Sequence, residues 1–195
     1  MTLGRPREFD TEAALTKAMR LFWRKGYEGT SLSDLTTEMN ITRPSLYAAF
    51  GNKQELFLKV LDRYDRETAA FIQAALDAPN ARAVAEGLIF GACAFHSDKH
   101  NPAGCLMVHG ALVGSDESLA MRTETSLRRS GLKDRITQRL KQAKVQGDLP
   151  QSADPAALAG YLVAILRGMA VEAASGARPV DLKRIAAVAM AAWPE

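Results

Sequence analysis

Apolar residues in this chain recur at intervals of three and four almost everywhere, and almost no segment alternates with a period of two. That spacing gathers them on one face of an α-helix and leaves a β-sheet without a pattern to build from. The fold class expected is all-α, with about nine helices. The chain has 195 residues, of which 47% are hydrophobic, enough to bury one sizeable core or two modest ones. Charged residues make up 24%, which argues against disorder. The net charge is only +3, so any attraction to nucleic acid depends on where the charges sit. Two cysteines do not make a disulfide scaffold. The basic start, Met1 to Arg7, leads into no apolar stretch, so no signal peptide is expected. The longest apolar run, Leu158 to Ala174, is interrupted by Arg167 and Glu172 and reads as a buried helix rather than a membrane span. A cytoplasmic protein with no membrane partner is the expectation.

The punctuation between helices is sharpest near the N-terminus. A first helix is predicted over Asp10 to Arg24, with Ala14, Ala18, Leu21 and Phe22 inward and Gly26 as its stop. A second starts at Ser31, where Asp34 completes a capping box, and carries Leu32, Leu35 and Met39 inward. Asn40 ends it, because Asn tolerates the left-handed backbone of a tight turn. A third follows Thr42 as N-cap and runs through Phe50, with Pro44 confined to the first turn, where no intrahelical N–H bond is lost. Asn52 and Glu55 repeat the capping box and open a fourth helix carrying Leu56, Phe57, Val60, Leu61 and Tyr64. Beyond a linker at Ala78 to Asn80, a helix runs to about His100 and a brief one leads from Cys105 to Gly114. A long helix from Asp116 to Gln146 is expected to break near Ser130 and Gly131. Asp154 and Pro155 start the next helix, and the last runs from about Val180 to Trp193.

Two short capped helices around an Asn-Ile-Thr turn have the spacing of a helix-turn-helix, whose second helix enters the DNA major groove. Leu46 and Phe50 anchor the inner face of the third helix, leaving Thr42, Arg43, Pro44, Ser45 and Tyr47 toward its start and outer face. Arg43 suits two-pronged reading of guanine, Tyr47 and Ser45 suit phosphate, and Lys53 adds a cation to the free N–H groups of a helix start. Taken as pattern alone, the same residues also fit the ordinary polar surface of a helical bundle.

The first 60 or so residues resemble the TetR family of regulators. The resemblance rests on GRPREFD, FWRKGYEGTSL, ITRPSLYAAF and the NKQEL that follows. It implies a dimer, a DNA reader in the first three helices, and a ligand pocket in the C-terminal body. It implies DNA-facing positions for Thr30, Ser31, Thr42, Arg43, Ser45, Tyr47 and Lys53, and it favours DNA contact by Arg5 and Arg7 in the basic arm. Ala48 and Ala49 stand where larger side chains are usual, and Asn40 stands for the usual turn glycine.

The body is less explicit. PAGCLMVHGAL resembles a subset of these regulators and places Cys105 near a helix start, where thiol pKa falls, with His109 one turn later. Cys105 is then either a thiol switch for oxidants and electrophiles or a small packing residue. An enzyme using Cys105 and His109 as nucleophile and base lacks a third orienting group. Cys93, His96, Cys105 and His109 are metal ligands by type but show no recurring paired spacing, so no metal and no cofactor is expected. Phe90, Cys93, His96, Cys105, Met107, His109 and Met121 are the candidate ligand-pocket residues. The last two helices are apolar on more than one side, which calls for burial on more than one side. Leu158, Tyr161, Leu162, Ile165, Leu166, Met169, Leu182, Ile185, Val188 and Ala189 are the candidate dimer contacts. The expected organisation is a DNA-binding domain over residues 1–52 and a ligand-binding and dimerisation domain over 53–195. The expected function is a homodimeric repressor released from a palindromic operator by a small molecule.

Overall fold

The structure, a computed structural model, describes residues 9–109 and 118–194. Among these residues nine helices and no strand occur. They are α1 (Thr11–Lys25), α2 (Leu32–Met39), α3 (Arg43–Phe50), α4 (Lys53–Leu76), α5 (Ala81–Ser97), α6 (Leu106–His109), α7 (Leu119–Val145), α8 (Pro155–Ala174) and α9 (Pro179–Ala191). The basic arm with Arg5 and Arg7, and the segment 110–117, lie outside the described residues.

The caps set the N-terminal unit. Asp10 is the N-cap of α1, its carboxylate accepting from the backbone N–H of Glu12 and Ala13. Ser31 and Asp34 form the capping box of α2, and Asn52 and Glu55 that of α4. Asn40 ends α2 in the left-handed region, at φ 57° and ψ 47°, as its residue type predicts. Each cap satisfies N–H groups that the helix itself cannot bond.

Two apolar cores follow. The first holds Phe22, Trp23, Leu35, Leu46, Phe50, Leu56 and Phe57, with Leu106, Met107 and Met121 joining from the body. Phe22 is fully buried and meets the Phe57 ring edge-on at 4.9 Å. The second is built from α5, α7, α8 and α9 around Leu88, Ile89, Ile136, Leu140, Leu162, Met169 and Leu182. The 24-residue α4 belongs to both: Leu56 to Tyr64 pack in the first core, Ala75 and Leu76 in the second. The boundary expected between residues 52 and 53 therefore falls at the start of a helix that bridges the two cores.

The body is closely fitted. A Cβ at Gly87 would lie 2.9 Å from Ala75 Cβ, and one at Gly91 2.8 Å from the Phe71 ring, so two glycines let α5 approach α4. Arg139 of α7 donates to the carbonyls of Leu76 and Ala78 at 3.0 and 2.7 Å, closing the C-terminal end of α4. The expected break in α7 at Ser130 and Gly131 is absent: the helix runs unbroken through both. A glycine within a helix costs only about 1 kcal/mol, and burial of Ile136, Leu140 and Ala143 on the same helix outweighs it. By length and composition α8 could cross a bilayer, but Leu162, Val163, Met169 and Ala170 are buried inside the protein, as in a core helix.

Because Phe22 is fully buried between α1 and α4, Phe22→Ala should destabilise the protein by about 3–5 kcal/mol. Urea unfolding of the pure variant reads this directly, and a loss below about 1 kcal/mol would contradict the packing.

Candidate nucleic-acid interface and ligand cavity

The helix-turn-helix forms as its sequence predicts, and its two faces separate cleanly. Leu46 and Phe50 of α3 are buried, while Tyr47 is 49% exposed and Thr42, Arg43, Pro44 and Ala48 are exposed beside it. The Thr42 hydroxyl caps α3 by accepting from the Ser45 N–H at 3.3 Å, and the two hydroxyl oxygens lie 2.9 Å apart. Ser31 is exposed at the start of α2, its hydroxyl already donating to Asp34 at 2.9 Å. Lys53 sits at the start of α4 with its ammonium over the Tyr27 ring, 4.3 Å from the centroid. Burial pushes this ammonium below the ordinary lysine value, and Glu28 pulls it back up.

One expected contact is corrected. Thr30 is fully buried, and its hydroxyl donates to the Gly26 carbonyl at 2.7 Å. It braces the turn between α1 and α2 and has no surface to offer a nucleic acid. A threonine before a capping serine reads as exposed by type, and the bond four residues back to Gly26 that holds it inward is not announced by that type.

The body holds a partly open cavity of about 640 Å³ between α4, α5, α7 and α8. Its wall includes Tyr64, Asp65, Thr68, Phe71, Ile72, Leu88, Phe95, Met107, Leu132 and Leu166, with Arg128, Arg129, Arg135 and Arg167 among its polar groups. Of the candidate pocket residues, His96, Cys105 and Met107 line it. Four do not. Phe90 is largely exposed, Cys93 is buried in the body core, Met121 is buried in the first core, and His109 turns to the backbone next to Gly104 and Cys105. Helix α5 is apolar around much of its girth, so periodicity alone could not tell its cavity face from its core face. The arginines and Asp65 were missed because their charge reads as surface; their position facing a hollow is a tertiary property.

An aromatic cluster connects this wall to α1. Trp23 stacks on Phe95 at 5.7 Å and meets Tyr64 edge-on at 4.9 Å. Next to the cavity, Arg128 of α7 donates to Asp62 and Asp65 of α4 at 2.7 and 2.6 Å and to Glu124 at 2.7 Å. Burial raises the Asp65 carboxyl despite Arg128, while the three acids hold the Arg128 guanidinium protonated against its own partial burial.

At Cys105 the helix-start effect is present but does not prevail, in line with the packing reading. Tyr64 donates its hydroxyl to the Cys105 sulfur at 3.2 Å. Backbone N–H groups of Met107 and Val108 do favour the thiolate, as a helix start should, but burial outweighs them and the thiol pKa is raised. His109 Nδ1 accepts the backbone N–H of Cys105 at 3.3 Å, so no base is aimed at the sulfur. Among the described residues no group of three or more His, Cys, Asp or Glu is placed to hold a metal ion.

The predicted dimer contacts divide. Leu162, Met169, Leu182 and Ala189 are buried within the chain itself, so they are not a free surface. Leu158, Tyr161, Ile165, Leu166 and Ile185 are half-buried; the Tyr161 hydroxyl donates to the Ala189 carbonyl at 2.7 Å, and Leu166 also faces the cavity. Val188 is 72% exposed, and Val171 and Val180 are each 44% exposed on the same two helices.

The family model described as bacterial regulatory proteins, tetR family, matches residues 14–60. A second, described as a tetracyclin repressor-like C-terminal domain, matches residues 86–189. The chain is 38% identical over 195 residues to the HTH-type transcriptional repressor ComR of Escherichia coli, covering 98% of this chain and 92% of that protein. It is 37% identical over 109 residues to the HTH-type transcriptional repressor BdcR of Escherichia coli, covering 55% of each. Among solved structures, a cysteine mutant of the TetR family transcriptional regulator CifR, complexed with 26-bp double-strand operator DNA, is 38% identical with a TM-score of 0.93. That match covers 98% of this chain and 100% of the other.

The raised thiol pKa sets an expected reactivity. Cys105 should react with iodoacetamide at pH 7.5 at least tenfold more slowly than a free cysteine, and its rate should still be climbing above pH ~8.5, the free thiol value. Peptide mass spectrometry over a pH series measures this; a rate at neutral pH equal to that of free cysteine would show the sulfur to be activated after all.

Proposed function

The chain belongs to the tetR family of bacterial regulatory proteins, and from that premise we propose that it is a homodimeric repressor whose operator is palindromic and is released when a small molecule fills the body cavity. The observation that carries this reading is the sharing of α4. Its first turns pack under the reading head, and its middle turns supply Tyr64, Asp65 and Thr68 to the cavity wall.

In this reading α3 enters the major groove, with Arg43 and Tyr47 outward and Leu46 and Phe50 holding the helix to its support. Arg43 reads a base edge; Thr42, Ser45, Tyr47 and Lys53 hold phosphates. Ser31 adds a contact from the start of α2. The DNA-bound relative, matched along nearly the whole chain, supports this assignment. Two heads engage successive half-sites when they lie about 34–36 Å apart, one helical turn. A ligand that displaces Tyr64 or Phe95 presses on Trp23, and one that disturbs Asp65 loosens the Arg128 clamp between α4 and α7. Either change moves the head relative to the body. The effect on DNA is a shift in population between two dimer shapes.

The dimer forms through α8 and α9. Both helices bury one side within the chain and leave Val171, Val180 and Val188 unpartnered on the other. A helix apolar on two sides needs two apolar neighbours, and the second neighbour here is the same pair of helices from another copy.

Arg43→Ala should weaken operator binding by about 1–3 kcal/mol and relax preference at one base pair of each half-site. Titration against operator and scrambled DNA at fixed salt tests this, and unchanged affinity would remove Arg43 from base reading. Val188→Asp places a charge on an exposed site, so the chain should still fold but sediment as a monomer and lose operator binding. Sedimentation as a dimer would show that the contact lies elsewhere.

A further inference from the structure

The cavity's arginines are not equivalent. Arg128 is surrounded by Asp62, Asp65 and Glu124. Arg129, the next residue, has no carboxylate partner among the described residues. Its Nη1 donates to the Met107 carbonyl at 2.6 Å, and its charged neighbour is another cation, Arg167, whose Nη2 reaches the Arg129 carbonyl oxygen at 3.5 Å. Partial burial and Arg167 together depress the Arg129 pKa. Half-buried Arg129 and exposed Arg167 thus line one hollow, and among the described residues no acid pairs with Arg129.

A smaller hollow of about 260 Å³ lies at this point between α7 and α8, lined by Val108, Ser126, Arg129, Ser130 and Arg167. Val108, Arg129 and Arg167 also line the main cavity, so the two spaces adjoin. Among the described residues the small hollow is lined by two guanidinium groups, two hydroxyls and no acid. The large one is mainly apolar and aromatic, with Phe71, Ile72, Leu88 and Phe95 in its wall and Asp65, Arg128 and Arg135 among its charged groups. A largely apolar chamber beside two cations that no described acid pairs with selects for a molecule with both characters. Arginine's planar fork matches a carboxylate through two parallel N–H···O bonds.

We propose that the effector is an amphipathic carboxylic acid, its apolar body held between α4 and α5 in the main cavity and its carboxylate seated between Arg129 and Arg167. This rests on the reading of the cavity as the effector site. The carboxylate supplies a counter-charge that no described residue gives Arg129, and it draws α7 and α8 together. The body of the ligand meets Phe95, and through it Trp23. Head and tail therefore act on different helices, and an alcohol or an acid without a tail does only half of this.

The test uses the full chain free of DNA, titrated by calorimetry with tryptophan emission as a second readout. The probes are decanoate, decanol and acetate, each below the concentration at which it forms micelles or a separate phase. Decanoate should bind at least tenfold more tightly than decanol, and acetate should give no response at the same concentrations. Arg129→Gln and Arg167→Gln should each abolish the preference for decanoate over decanol. Equal binding of decanoate and decanol to the wild-type chain would overturn the proposal, as would acetate matching decanoate or no response to any of the three. The wild-type comparison holds whether or not either variant folds. Operator release is measured separately. Charge-selective binding of decanoate with the operator still bound would uphold the acid site and refute the induction reading alone.

Discussion

The structure depends on α4 being held at both ends by different cores. Phe57 and Leu56 lock its first turns against Phe22 and the reading head, and Ala75 and Leu76 lock its last turns into the body. Between these anchors only one face of the helix lacks solid packing. It borders a hollow, and Tyr64, Asp65 and Thr68 face that hollow. Protein interiors are otherwise dense and resist continuous deformation. A rod fixed at two ends and open along its middle is where a small change in occupancy becomes a change in angle. The Arg128 clamp sets the resting position of that middle stretch by tying Asp62 and Asp65 to α7.

The N-terminal unit was legible because its information is local. Ser31 with Asp34, Asn52 with Glu55, Asn40 in the left-handed region and Pro44 in a first turn each act within four residues of themselves, and each appears where the sequence places it. Leu46 and Phe50 inward with Tyr47 outward follows from the helical period alone. Thr30 shows that a local bond is still missed when residue type does not announce it. Its burial depends on the Gly26 carbonyl, four residues back.

In the body the information is not local. The sequence marks α8 and α9 as apolar on several sides, which is correct, but period cannot say which side meets α5 and which is left for a partner. Leu162, Met169 and Leu182 turn inward, while Val188, three residues beyond Ile185, stands almost fully out. The cavity shows the same difficulty. Cys93 and His96 lie on one helix, yet the first is in the core and the second on the cavity wall. Cys105 adds an electrostatic case. The helix-start effect that favours its thiolate is present, and burial exceeds it, so the pKa moves the opposite way. Local rules give each contribution its sign; only packing decides which is larger.

In the proposed effector site, adjoining arginines of one stretch of helix take different parts, one restraint and one reception. Arg128 is saturated by acids and holds α4 to α7; Arg129 is unpaired by any acid among the described residues and faces Arg167 across the gap to α8. A ligand shifts an equilibrium only by the difference in its affinity for the two states, and useful couplings are about 1–3 kcal/mol. That is the scale of a few charge-assisted hydrogen bonds. It is small beside the folding of either core. The wall side chains that touch both sides of this boundary, Tyr64 and Phe95, pack directly on Trp23 of α1. The coupling therefore needs no long chain of intermediates. One aromatic layer separates the hollow from the helix that supports the reading head, and any molecule that contacts that layer differently in two states is sufficient to bias them.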